Sequence, residues 1–542
     1  MADAETDGDD GRVGDSGVDD GPGDRLDSEG DASDSRAGDG VPAEERDALL
    51  TIAHGAVVTS GGVSAQRALV AAVEFVLARG LGPVAYGVYA LAWRVAQLLS
   101  RLVTFGSVPT LQRYLPADDD AGRRSRVTGL AYATTAGVGL LIAAGVWLAT
   151  PWLNGVTVDH PDFPAAMRLL GAFVLLVGLV MVYAATFRAD GSARGEVLFN
   201  KLLRPAVRLV GAAAALALGY SVVGVAGAYA ASMLVLVLVG FLATVRLTGV
   251  EPSLRGLRRE ARQFYDHAAP VAMSSFGKIF QNRADILLVG ALLTAVAAGV
   301  YNVVLVLVSI AWIPLMSFNQ LLPPVASRLY AGDRIETLNA VYSSVTRLIV
   351  TTVLPILAVQ VVFGRELLGL FGPTYTRGYL PLAVYLAGVF VGSAVGATGW
   401  LLMMTDHQYA RMALDWLLAV LNVALTYAFV LEFGLVGAAL GTSLAIAVQN
   451  GLQVVLLRRF EGLWPFDATF LRPIAAAAVM TAAMAGVRAT VEGLPAVAVG
   501  AVVGLAVYVG ALHVLGVDPR DRLVVRELTS RYRDDVADAL PI

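Results

Sequence analysis

Apolar stretches of about 20 residues recur along this chain, each long enough to cross roughly 30 Å of hydrocarbon. No other feature narrows the possible folds so far. Backbone inside lipid must satisfy its own N–H and C=O groups, and apolar runs of this length do so as helices. The fold class that follows is an all-α polytopic membrane protein. Polar and Pro/Gly breaks separate about 14 transmembrane helices, centred on residues 52–78, 84–109, 127–149, 166–187, 203–219, 223–245, 268–290, 296–318, 346–364, 379–403, 412–431, 435–457, 473–490 and 496–516. The 56% hydrophobic content and mean hydropathy of +0.66 exclude a soluble globule.

The two ends differ from the rest. Residues 1–48 carry 17 Asp/Glu against four Arg and almost no large apolar side chains, the composition of an acidic disordered tail. The segment lacks the basic start and apolar core of a signal peptide, so it is expected to be retained. Residues 517–542, with "RDRLVVRELTSRYRDD", read as an amphipathic helix on the inner membrane surface. The chain has no cysteine, which excludes disulfides, thiolate metal sites and cysteine nucleophiles. Its five histidines (His54, His160, His267, His407, His513) are scattered without ligand spacing, so no metal site is expected. Only two of 40 basic residues are lysine. Together with the acidic tail and Ala/Gly/Val richness, this suggests a GC-rich, salt-adapted source of archaeal type.

Loop charge orients the spans, because Lys and Arg concentrate on the cytoplasmic side. Even-numbered connections hold Arg113, Arg123, Arg124 and Arg126; Arg188, Arg194, Lys201 and Arg204; Arg246, Arg255, Arg258, Arg259 and Arg262; and Arg328, Arg334 and Arg347. Odd-numbered ones hold only Arg79, Arg365, Arg377 and Arg488. A multi-pass protein of the cytoplasmic membrane, with both termini inside, is expected. The even span count agrees.

The spans also repeat. "AYGVYALAWRVAQLLSRLVTFGSVPTLQRYLPADD" (85–119) resembles the segment 297–333, and both carry GVY at the start of a span. "SVVGVAGAYA" (221–230) resembles "GLVGAALGTS" (434–443), and Arg67/Glu74 resembles Lys278/Asp285. Offsets of 211 to 215 place all of these in one register. Six spans per unit gives halves of the same orientation, related by a twofold along the membrane normal. The expected organisation is an N-terminal six-helix lobe at 49–247, a C-terminal six-helix lobe at 264–458, and two additional helices at 472–516. Such lobes form the usual scaffold of alternating access.

Charges inside the spans locate a site. A charge at the centre of an isolated span costs roughly 2.5–3.5 kcal/mol. Spans 1, 2 and 7 carry seven: Arg67, Glu74, Arg94, Arg101, Lys278, Arg283 and Asp285. Facing lipid they would cost on the order of 20 kcal/mol, more than typical folding stability. They must face water or one another. Residues seven apart share a helix face, which groups Arg67 with Glu74, Arg94 with Arg101, and Lys278 with Asp285. Arg283 falls nearer the opposite face.

Five bases against two acids suit an anionic ligand, since guanidinium forks bind phosphate. The competing interpretation is a self-neutralising network pairing Glu74 with Arg67 and Asp285 with Lys278. That network leaves no acid of spans 1, 2, 7 or 8 for Arg94 and Arg101. Arg79 at a span end is expected to snorkel, and Asp415 and Glu432 to be interfacial.

The run "ARGLGPVAYGVYALAWRVAQLLSRLVTFGSVPTLQRYLP" resembles the first helical hairpin of the polysaccharide transporter family, the Wzx-type lipid-linked oligosaccharide flippases. These belong to the multidrug/oligosaccharidyl-lipid/polysaccharide (MOP) superfamily, which includes MATE and MurJ proteins. "FQNRADILLVGALL" is similar to that family's span 7 and "GLVGAALGTSLA" to its span 12. The resemblance covers roughly residues 50–516. It implies a V of two six-helix lobes with two extra C-terminal helices. A central cationic cavity would take the phosphate and sugars of a polyprenyl or dolichyl carrier.

By helix and face, Arg67, Arg94, Arg101, Lys278 and Arg283 correspond to the kinds of residue lining that cavity. Glu74 and Asp285 would be its acids, open to coupling with H+ or Na+. No cofactor, catalytic residue or nucleic acid is implied. Partners would be the lipid-linked glycan, membrane lipids, and glycosyltransferases or an oligosaccharyltransferase of the same pathway. A multidrug exporter of the superfamily is the first alternative, though such exporters have acid-dominated sites and 12 spans. A membrane glycosyltransferase or ligase is the second; its only sizeable external loop, "PWLNGVTVDHPDFP", offers Asp159, His160 and Asp162. The chain has no P-loop, which argues against ATP hydrolysis as the energy source.

Overall fold

The computed structural model describes residues 41–116, 120–189, 202–280 and 284–539. Among these, every regular element is helical. The first helix starts at Ala43, inside the segment expected to be tail, with Glu44 and Glu45 in its first turn. Acids there complement the positive helix N-terminus. Residues 1–40, most of the expected tail, lie outside the described residues.

Nine helices among the described residues are long and apolar enough to cross a membrane. Two of them are pairs of spans. In Ala43–Leu99 the backbone departs from helical geometry at Gly82 (φ 75°), just before Pro83. The Tyr86 hydroxyl donates to Glu74 Oε2 at 2.9 Å. Twelve residues along a straight helix would be about 18 Å apart, so the chain must double back between them. Gln408–Glu461 turns likewise at Gly434 (φ 56°). A Cβ on Gly437 would sit 1.9 Å from Phe429 O, which shows how tightly the two arms approach. Left-handed backbone at both turns favours glycine.

Spans 3, 4, 6, 9, 10, 13 and 14 account for the other seven long helices. Span 5 is Arg204–Ala217, only 14 residues. Span 7 comprises Arg258–Phe280 and Ala284–Leu292, and span 8 is Ala295–Ala311 with Ile313–Phe318. Each of the 14 expected runs thus falls on helix among the described residues, nine of those helices being long and apolar enough to cross a membrane. Span 2 is not continuous to 109 as expected. Its helix ends at Leu99 and resumes at Ser107–Tyr114, after positive φ at Phe105 and Gly106.

Residues 41–542 form one compact unit. At its centre the two GVY repeats cross. A Cβ on Gly87 would lie 1.7 Å from Ala295 O, and one on Gly299 would lie 3.2 Å from Gly87 Cα. Hydrocarbon supplies no hydrophobic drive between helices, so close small-residue contact is how such helices adhere. Tyr86, Tyr89, Val300 and Tyr301 around this crossing are fully or nearly fully buried.

The C-terminal helix, Pro519–Ala539, does more than lie on a surface. Arg347 of span 9 is 1% exposed and bonds Asp521 at 2.7 and 2.9 Å, Asp518 at 3.0 Å, and also Asp467. Arg520 pairs with the buried Glu45, tying this helix to the start of span 1. Burial pushes the Asp521 carboxyl above its usual value despite the adjacent Arg347.

Candidate functional site

Four guanidinium groups line one cavity of about 680 Å³: Arg67 of span 1, Arg94 and Arg101 of span 2, and Arg204 at the start of span 5. Leu287, Ser309, Trp312 and Met316 of spans 7 and 8 form the opposite wall. Where the span 2 helix stops at Leu99, the cavity reaches Ser100 and Arg101 in the irregular segment. The cavity therefore lies toward the membrane side that carries the basic connections. Arg67 Nη2 approaches Met316 Sδ at 3.5 Å across the gap. Arg94 holds Asn302 Oδ1 with Nε and Nη2 at 3.0 and 2.7 Å, and donates from Nη1 to Gln97 Oε1 at 3.0 Å.

Glu74 sits behind this surface. It is 1% exposed and lines a side pocket of about 80 Å³ together with Arg94, Gln97 and Arg204. Its carboxylate accepts from Arg208 Nη2 at 2.7 Å, Tyr86 Oη at 2.9 Å and Asn302 Nδ2 at 3.2 Å. Arg208, 4% exposed, also donates to Tyr89 Oη at 3.1 Å and stacks 4.0 Å over the Trp93 ring. The pairing of Glu74 with Arg67 suggested by spacing is thus replaced by one with Arg208. Seven residues share a face but are separated by about 10 Å of helix rise, whereas a neighbouring helix can place its guanidinium directly opposite.

In the second half Asp285, also 1% exposed, accepts from Tyr301 Oη at 2.9 Å and from the Ile286 N–H at 2.9 Å. Each half therefore buries one carboxylate against a tyrosine from the following span. Arg283 and the Lys278 side chain lie outside the described residues.

Three participants escaped the reading of the sequence. Arg204, which the loop-charge pattern places in a connection, lines the cavity. Arg208 lies inside the apolar run 203–219, so the insertion cost that singled out Arg67 would have singled it out too. Asn302 follows the second GVY and carries no charge to mark it. Elsewhere, Arg79 Nε donates to Leu370 O at 2.8 Å, and Asp415 pairs with Arg411 at 3.0 Å and with Gln449 at 2.9 Å. In the connection between spans 3 and 4, the His160 and Asp162 N–H groups donate to Asn154 Oδ1 and His160 Nδ1, as in a helix-capping turn.

Solved structures share this arrangement, a helical membrane bundle enclosing a cavity, at the level of fold. The lipid II flippase MurJ in an inward closed conformation superposes with a TM-score of 0.69 at 11% identity, covering 87% of this chain and all of that one. An inward-facing multidrug-resistance MATE transporter of the MOP superfamily gives 0.63 at 18%, covering 73% and 94%. The class these likenesses define is a polytopic helical membrane protein that shares its fold with both. A family model, "Polysaccharide biosynthesis protein", matches residues 76–379, more than half of the chain. The chain belongs to that polysaccharide biosynthesis family. A relative from Haloferax volcanii, "Probable low-salt glycan biosynthesis flippase Agl15", is 23% identical over 206 residues. That match spans 38% of this chain and 44% of the relative's length.

Proposed function

We propose that this protein is a flippase that carries a polyprenyl- or dolichyl-(pyro)phosphate-linked oligosaccharide across the cytoplasmic membrane, for surface polysaccharide or glycoprotein synthesis. The observation that carries the proposal is the convergence of Arg67, Arg94, Arg101 and Arg204 on one cavity between spans 1, 2, 5, 7 and 8. A lipid-linked glycan presents one strongly anionic point, its phosphate, and guanidinium forks are the side chains best matched to it. The lipid tail stays in hydrocarbon while the headgroup occupies the cavity. No covalent bond is made or broken.

Alternating access about the pseudo-twofold, with lobes 49–247 and 264–458, would move the headgroup across. The glycine crossing of spans 2 and 8 provides a contact about which they can rock. With the basic connections inside, this conformation faces the cytoplasm. The family and the Haloferax relative support the glycan as cargo over a drug. Glu74 and Asp285 are the groups through which H+ or Na+ could drive the cycle.

Deleting the gene should cause a lipid-linked glycan to accumulate on the inner leaflet. Wild-type protein should relieve this, whereas Arg94→Ala/Arg101→Ala should not. Full relief by that double variant at normal abundance would refute the assignment of the arginine cavity.

A further inference from the structure

A second cavity, about 150 Å³, opens between spans 8, 10, 11 and 12. Trp312 lines both this cavity and the arginine cavity, so the two lie on either side of that side chain. Its chemistry is different. Asn319, Gln449, Asn450 and Gln453 bring four side-chain amides to the wall, and Trp312 and Trp400 add two indoles. The one guanidinium there, Arg411, pairs with Asp415 at 3.0 Å, and Asp415 also accepts from Gln449 Nε2 at 2.9 Å. Charge at this site is therefore matched internally.

Among the described residues, one buried polar atom of this wall is unmet by protein. Asn319 Oδ1 is buried and accepts no hydrogen bond. Gln453, only 3% exposed, lines the same wall. Buried amide oxygens ordinarily find partners, so Asn319 Oδ1 points to an occupant. Gly392 of span 10 lets the Trp312 indole pack directly against that helix, since a Cβ there would lie 2.8 Å from the ring.

We infer that this cavity is a glycan subsite, which takes a neutral hexose ring of the transported molecule while its phosphate lies among the arginines. The inference rests on the flippase reading above. An amide both donates and accepts, as a sugar hydroxyl does, and an indole covers the apolar C–H face of a pyranose. A phosphate would instead require unmatched cations, and a cationic drug a carboxylate not already engaged.

The test uses full-length protein in nanodiscs and two probes of equal charge, the phosphodiesters farnesyl methyl phosphate and farnesyl glucosyl phosphate. Wild-type protein should bind the sugar-bearing probe about tenfold more tightly, the worth of one or two hydrogen bonds. Gln453→Met, which keeps side-chain volume, and Asn450→Ala should each erase most of that gain. Both should leave farnesyl methyl phosphate affinity within about twofold of wild type. Equal affinity of wild type for both probes would overturn the subsite. So would a loss in Gln453→Met that falls alike on both. Arg94→Ala should weaken both probes. If it weakens neither while Gln453→Met still removes the sugar increment, the glycan subsite stands and the arginine assignment fails.

Discussion

Replacing Arg208 by methionine isolates the energetics of the buried centre. Arg208 and Glu74 are 4% and 1% exposed and meet at 2.7 Å. Removing one partner of such a pair leaves an uncompensated buried charge and costs about 3–5 kcal/mol. Stacking on Trp93 at 4.0 Å adds up to about 2 kcal/mol that methionine replaces only in part. Tyr86 and Asn302 continue to donate to Glu74 and limit the damage. Purified Arg208→Met should therefore lose several degrees of melting temperature in detergent, while Arg208→Lys, keeping charge but not the fork, loses less. Arg208→Met/Glu74→Leu should recover most of the loss, because no buried charge is then stranded. Arg67→Met, whose residue faces the cavity, should stay near wild type. Were Arg67→Met the more damaging single change, or the double variant no more stable than Arg208→Met, the pairing argued from the structure would be wrong.

Further outcomes follow from other parts of the molecule. Arg94→Lys should retain partial transport, losing the bidentate contact but not the charge, while Arg94→Ala and Arg101→Ala insert normally yet fail in a flipping assay; fully active alanine variants would count against phosphate binding there. Glu74→Gln and Asp285→Asn should weaken an H+ or Na+ dependence of transport at unchanged abundance, and a parallel fall in abundance would assign both to structure alone. Gly87→Ala should destabilise the fold, since its Cβ would meet Ala295 O, whereas Gly61→Ala on the same helix pair faces open space and should be neutral or stabilising by up to about 1 kcal/mol. The native chain lacks cysteine, so a cysteine placed at 160 should react with an impermeant reagent from outside and one at 256 should not; the opposite pattern would invert the topology.

What the sequence determined by itself was periodic or expensive. Apolar length alone marked 14 crossings, because hydrocarbon thickness is a fixed ruler and lipid tolerates no unpaired backbone. The helices at Val222–Thr248 and Leu494–Leu515 lie within a few residues of the runs that predicted them. Arg67, Arg94 and Arg101 stood out because charge in a span is costly, and they line the same cavity. Tertiary structure decided which face met which. Glu74 could not be assigned from spacing on its own helix, because its partner Arg208 comes from span 5, 134 positions away. Asn302, 228 positions from Glu74, bridges that acid and Arg94 only because Gly87 and Gly299 let spans 2 and 8 cross nearly in contact. Neutral amides such as Asn302, Asn319 and Gln453 cost too little in a span to be conspicuous. Their roles arise from where packing puts them, a long-range property that no local pattern encodes.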